Sequence, residues 1–329
     1  MAIGRRFSGR RPPSFLRFGG CFVSKASKAL PFWRSGASTP FLLLAPALIT
    51  MAFVVLVPLV FSLYTSFTGY RLVRPETLYT VIGWRNYARA LTDFDFWIAF
   101  GRTILFLTIA INLELLLGLG IALLINKVTW GQRTLRTIMM FPMMFSPILV
   151  GFQFKFIFND NIGILNNALL ALGLIATPLP WLVNGALAMF SLAFAEIWMS
   201  TSVFAILLLA GLFAMPSDPL EAAKVDGCNT WQVFRHITLP FIMPFAYIAM
   251  TIRSLDVARA YDIVKVMTGG GPAGRTELLW TIIAREGYDN ARMGMANSMA
   301  YISTILSILF TWYFYRKLVS ARRYMGGEQ

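Results

Sequence analysis

Ser217–Pro244 reads SDPLEAAKVDGCNTWQVFRHITLPFIMP and lies between two long apolar runs. Asp218 is a good N-cap, Pro219 suits the first helical position, and Glu221 follows Asp218 by three residues. That spacing is a capping-box arrangement, with acids where the helix dipole favours them. A short helix is expected from Pro219 to Asp226, with Gly227 allowing it to stop and turn. A second short helix is expected at about Thr230–Ile237. It would present Trp231, Val233, Phe234 and Ile237 before Pro240 leads into the next apolar run. The small residues Ala222, Ala223 and Gly227 suit close docking in a partner's groove. An amphipathic loop lying on the lipid surface is the alternative.

Outward from this loop the chain is apolar. Hydrophobic residues make up 57% and charged residues 13%, against about 25% charged in a soluble domain. The charges crowd at the two ends and in a few loops, which is the composition of a polytopic membrane protein. The expected fold is therefore all-α. About 20 apolar residues cross the hydrocarbon core, and six runs meet that length: 41–67, 104–125, 138–158, 186–213, 241–260 and 295–315.

Orientation follows the Lys/Arg bias. The tail before Pro40 holds Arg5, Arg6, Arg10, Arg11, Arg17, Lys25, Lys28 and Arg34, with no acid. Lys127, Arg133 and Arg136 follow the second run, and Arg316, Lys317, Arg322 and Arg323 follow the last. Residues 159–185 hold no basic residue, and acids largely offset the bases in the other alternate loops. Both termini and loop 217–240 are thus expected on the cytoplasmic side, with 68–100, 159–185 and 261–294 outside. Residues 1–40 are expected to be a disordered basic tail, lying against anionic lipid. Residues 41–320 are expected to form the transmembrane domain, and 321–329 a second cytoplasmic tail. The first apolar run is too long for a secretory signal, and no small-residue cleavage pattern follows it.

Composition also excludes some functions. Net charge is +14, from 29 Lys and Arg against 15 acids. No soluble stretch is long enough to carry that charge as a nucleic-acid-binding domain. Cys21, Cys228 and His236 cannot supply the four ligands of a usual zinc site, and cytoplasmic cysteines are not expected to pair.

The loop resembles the EAA loop of the permease subunits of binding-protein-dependent ABC importers. That pattern is Glu-Ala-Ala, two residues, Asp-Gly-Ala, then Phe, two residues, Ile, one residue and Leu-Pro. This chain has Glu221-Ala222-Ala223, Asp226-Gly227, Phe234, Ile237 and Leu239-Pro240 in register, with Cys228 where alanine is usual. Ile82-Gly83-Trp84-Arg85-Asn86-Tyr87, the stretch Leu117–Asn126, and Asp262–Pro272 are similar to further segments of the carbohydrate-uptake subfamily, the maltose, trehalose, glycerol-phosphate and polyol type. The resemblance implies a type I importer permease with six spans. It would pair with a second permease subunit above two ATPase subunits and take a sugar from a periplasmic binding protein. Glu221–Gly227 would be the coupling helix, with Glu221 paired to a base on the ATPase and Pro240 setting the angle of the fifth span. ATP and Mg would be bound by the partner, leaving this chain with no cofactor and no catalytic residue.

Gly269-Gly270-Gly271-Pro272-Ala273-Gly274-Arg275-Thr276 nearly reads as a phosphate-binding loop. Arg275 replaces the lysine, no strand–helix unit surrounds it, and it falls outside. A flexible turn that contacts the binding protein or closes the cavity is the better reading.

Ionisable groups inside a membrane face a cavity or a partner. Arg253 and Asp256 share a helix face, with Arg259 three residues on. They form either an internal salt bridge or a polar lining for a hydroxyl-rich cargo, and Arg253 also permits an anionic sugar. The resemblance places cargo contacts in this region. Glu196, Trp198, Ala260 and Tyr261 are further pathway candidates. Glu196, Trp198, Glu114 and Asn112 read more readily as packing or helix–helix hydrogen bonding than as cargo contacts. The competing functions are a secondary transporter, which would want repeats and carboxylates in broken helices, a non-transporting scaffold, and an importer of a non-sugar cargo such as a polyamine.

Overall fold

The computed structural model describes residues 39–325. The expected disordered tail, with Cys21, lies outside the described residues, apart from Thr39 and Pro40, which are already helical. Two compact units meet between Val57 and Pro58. The described part of the first is the leading portion of helix α1 (Thr39–Ser66), whose apolar side chains from Leu43 to Val57 are exposed.

The second unit begins within α1. Beyond Ser66, Thr68 bridges Val81 in antiparallel fashion, and α2 (Arg85–Thr92) follows. Helix α3 (Phe94–Lys127) starts where the Asp93 side chain accepts the Phe96 N–H at 3.2 Å. It begins ten residues before the expected second span, because Phe94–Thr103 is apolar enough to continue the helix outward. Helices α4 (Gln132–Met140), α5 (Pro147–Ile157) and α6 (Ile164–Ala171) come next. Helix α7 (Gly185–Phe213) is capped by Asn184. The loop carries α8 (Asp218–Val225) and α9 (Thr230–Val233), and α10 (Leu239–Ala258) follows. Then come α11 (Asp262–Met267), α12 (Leu279–Ala284) and α13 (Met293–Met325). Because α13 runs to Met325, the start of the expected C-terminal tail is helix.

Among the described residues, five helical runs are long and apolar enough to cross a membrane. The expected third span, 138–158, is not one helix. It is a pair bent by 91° between Met144 and Pro147. The cause is local: Pro147 disfavours the helical region for its predecessor, and Ser146 is extended at ψ 139°.

The expected fifth span also differs. Helix runs from Thr230 to Ala258, with one wide π turn at Phe234–Thr238 where the Leu239 N–H reaches the Phe234 carbonyl. Pro240 has no N–H to give the His236 carbonyl, and its ring crowds that group. The helix widens in the turn before it.

The core joins α3, α7 and α10 through Phe106, Leu107, Ile111, Leu192, Phe204, Leu208, Ile242 and Ala249. Helices α3 and α7 touch closely at Gly118, where an added Cβ would lie 2.6 Å from Phe204 Cβ and 2.9 Å from the Ala205 nitrogen. Small residues allow such backbone contact between membrane helices. A second cluster ties α2, α3, α12 and α13 through Ala90, Phe96, Ile282 and Met299.

Candidate functional sites

The helix–turn–helix of the loop is present, built partly by other means than expected. Ser217 has helical dihedrals, so Asp218 lies inside α8 and caps nothing; its carboxylate only meets the Ser217 hydroxyl at 3.2 Å. The expected Asp218–Glu221 capping box is therefore absent. A capping box forms instead at Asn229 and Gln232, through reciprocal bonds of 2.8 and 2.9 Å. Asn followed three residues later by Gln was its signal in the sequence.

Gly227 ends α8 at φ +75°. Its N–H reaches the Lys224 carbonyl at 3.2 Å, and the Cys228 N–H reaches that of Ala223 at 2.9 Å. This pair of bonds is a Schellman turn, which needs the left-handed residue that Gly227 supplies. Ala223 is buried, while Glu221, Ala222, Asp226 and Gly227 are exposed. Val225 is 88% exposed, and Trp231 is 64% exposed with its ring 5.5 Å from that of Phe234. Val233, Phe234, Ile237 and Leu239 are half-buried, and Pro240 is exposed. The free thiol of Cys228 is exposed one residue after the turn.

Five of the six pathway candidates share one cavity of about 380 Å³: Glu196, Arg253, Asp256, Ala260 and Tyr261. Trp198 does not join them. It lines an apolar trough with Leu113 and Phe194. Two residues on a helix are about 200° apart, so Glu196 and Trp198 look in different directions.

The expected Arg253–Asp256 pair is present at 3.6 Å, but Arg253 is held more closely by two acids from other helices. Arg253 Nε and Nη2 donate to the two oxygens of Glu114, each at 3.0 Å, and Nη2 also donates to Glu196 at 2.6 Å. Three helices, α3, α7 and α10, are thereby tied at one buried point. Asp256, 60% exposed at its side chain, stands 3.6 Å from Nη1 and is the weakest partner. Arg259 is exposed at the same cavity. Asn112 donates to its own helix, at Thr108.

Asn86 of the Gly83–Tyr87 segment is buried and donates to the Ser66 and Thr68 carbonyls at 2.9 and 2.8 Å. The Gly269–Pro272 stretch is tied down rather than free. Thr276 is buried, its hydroxyl donates to the Gly271 carbonyl at 2.6 Å and lies 2.8 Å from that of Thr268. Arg102 donates to the Gly274 carbonyl. Glu277 pairs with Arg285 at 2.8 Å, and burial holds its carboxyl above the usual carboxylate range.

Residues 114–323 match the family described as binding-protein-dependent transport system inner membrane component. The chain belongs to this family. The permease is 34% identical over 260 residues, 79% of this chain and 83% of the relative, to the probable ABC transporter permease protein y4oQ of Sinorhizobium fredii. It is 31% identical to the trehalose/maltose transport system permease protein MalF of Thermococcus litoralis, over 84% of this chain and 92% of that one. Its fold is similar to that of a bacterial ABC transporter involved in the import of the acidic polysaccharide alginate. The TM-score is 0.74 at 20% identity, over 86% of this chain and 95% of the solved one. The chain is thus an ABC importer permease subunit that spans the membrane several times.

Proposed function

We propose that this permease forms half of the pathway for a sugar or sugar derivative delivered by a periplasmic binding protein, paired with a second permease subunit. ATPase subunits drive it through Glu221–Pro240, and ATP and Mg are bound there, on the partner. The observation that carries the coupling assignment is α8 itself, a short helix with Glu221, Ala222 and Val225 exposed, closed at its C-terminal end by Asp226 and the Gly227 turn. The bent pair, read as one span, makes six, with both termini inside. The cavity of Arg253, Asp256, Ala260, Tyr261 and Glu196 is the pathway wall, and Gly269–Pro272 faces the binding protein. The relative named for trehalose and maltose supports a carbohydrate cargo.

Reconstituted uptake tests this reading. Proteoliposomes holding all subunits take up sugar only with ATP and the binding protein. Gly227→Trp, forced into a left-handed backbone, abolishes cargo-stimulated ATP hydrolysis. Intact assembly and stimulation in that variant would refute the coupling assignment.

A further inference from the structure

Arg253 stands at the cavity wall with its charge already committed. Its guanidinium meets Glu114 twice, Glu196 once and Asp256 more loosely. Around the cavity Glu196, Asp256 and Asp262 face Arg253 and Arg259, and Glu114 lies against Arg253 from α3. Four acids oppose two bases, so protonating any one acid still leaves a negative surplus.

We propose that this cavity passes neutral, hydroxyl-rich cargo and bars anionic cargo. Asp256 is the charge filter at its open face, with Glu196 beside it as a hydroxyl acceptor. Arg253 is a structural cation and offers an anion no free charge. To pair with Arg253, an anionic sugar would have to displace carboxylates that already hold the guanidinium in a two-pronged pair, the strongest geometry such a pair adopts. Arg259, the exposed second cation of this wall, shares it with Glu196, Asp256 and Asp262. A neutral sugar needs only acceptors for its hydroxyls, which the exposed Asp256 supplies. The inference rests on the reading of this cavity as the cargo pathway.

Thiol reactivity measures the cavity's charge without any cargo. The assembled transporter would carry Cys21→Ser and Cys228→Ala, with Ala260→Cys as the reporter. It would be treated with a cationic trimethylammonioethyl or an anionic sulfonatoethyl methanethiosulfonate. The thiolate attacks the reagent's sulfenyl sulfur, forms a mixed disulfide and releases methanesulfinate. The ratio of the two rates cancels any change in the thiol's own acidity. Clefts lined by one sign raise the local concentration of counter-ions by about tenfold or more. The cationic reagent is therefore expected to be favoured at least about tenfold over its ratio at a free thiol. Asp256→Asn should bring the ratio down and Arg259→Gln should raise it. An anionic reagent that reacts equally fast, or a ratio unmoved by both variants, would overturn the proposal. Uptake of a neutral sugar against its uronate then tests the cargo. A cavity with the expected charge but no protection of Ala260→Cys by transported sugar would fault the pathway reading and leave the charge assignment standing.

Discussion

Arg253 shows how much one side chain decides here. Breaking a buried ion pair by removing one partner costs about 3–5 kcal/mol, because the other charge stays buried and alone. Arg253→Met strands both Glu114 and Glu196. It is expected to lower the thermal unfolding midpoint of the detergent-solubilised transporter by several degrees, whereas Arg253→Lys, which keeps the charge but loses the fork, falls in between. A midpoint unchanged in Arg253→Met would mean the triad contributes nothing to stability. Asn86→Ala removes both donors to the Ser66 and Thr68 carbonyls, at about 1–3 kcal/mol for buried groups left unpaired. Faster proteolysis of the segment after α1 would report it. These pairings were only half legible in the sequence. That Glu114, Glu196 and Arg253 sit in apolar runs was plain. That they meet was not, because Glu114 and Arg253 are 139 residues apart and Glu196 and Arg253 are 57 apart. The i, i+3 rule pointed instead to Asp256, the only near neighbour it could see, and Asp256 turned out the loosest partner.

At the scale of elements, apolar runs located the helices because a membrane demands length, and length survives uncertain ends. They could not show the 91° break in the third run, since an apolar stretch reads the same whether straight or bent. Pro142 and Pro147 were the local cue. The turn after α8 was legible from Gly227, which left few backbones to choose among. The cap expected at Asp218 did not form, because Ser217 before it already has helical dihedrals. Two predictions belong here. Gly118→Val would drive a side chain into Phe204 and Ala205, part α3 from α7 and sharply reduce assembled transporter on size exclusion. Gly120→Val, with nothing within 4 Å of its Cβ, should assemble normally, and equal loss in both would show that the close contact is not the cause. Asn229→Ala removes the cap of α9, worth about 1 kcal/mol. Faster hydrogen exchange confined to Thr230–Val233 and the π turn would show it.

At the scale of the whole molecule, the charge bias of the loops predicts which side each one faces. With both termini and loop 217–240 inside, a membrane-impermeant maleimide labels Cys228 in inside-out vesicles and not in right-side-out ones. Bound ATPase should then protect it. Labelling from the outer side would reverse the orientation. The Schellman turn at Gly227 and the cap at Asn229 bear on how fast such a partner can engage. Ordering a loose chain costs about 1–2 kcal/mol of backbone entropy per residue, charged anew at every docking. A loop whose helices are closed by its own hydrogen bonds arrives with that disorder already removed. A partner docking on this loop would then need only collision and fit, without waiting for the chain to fold.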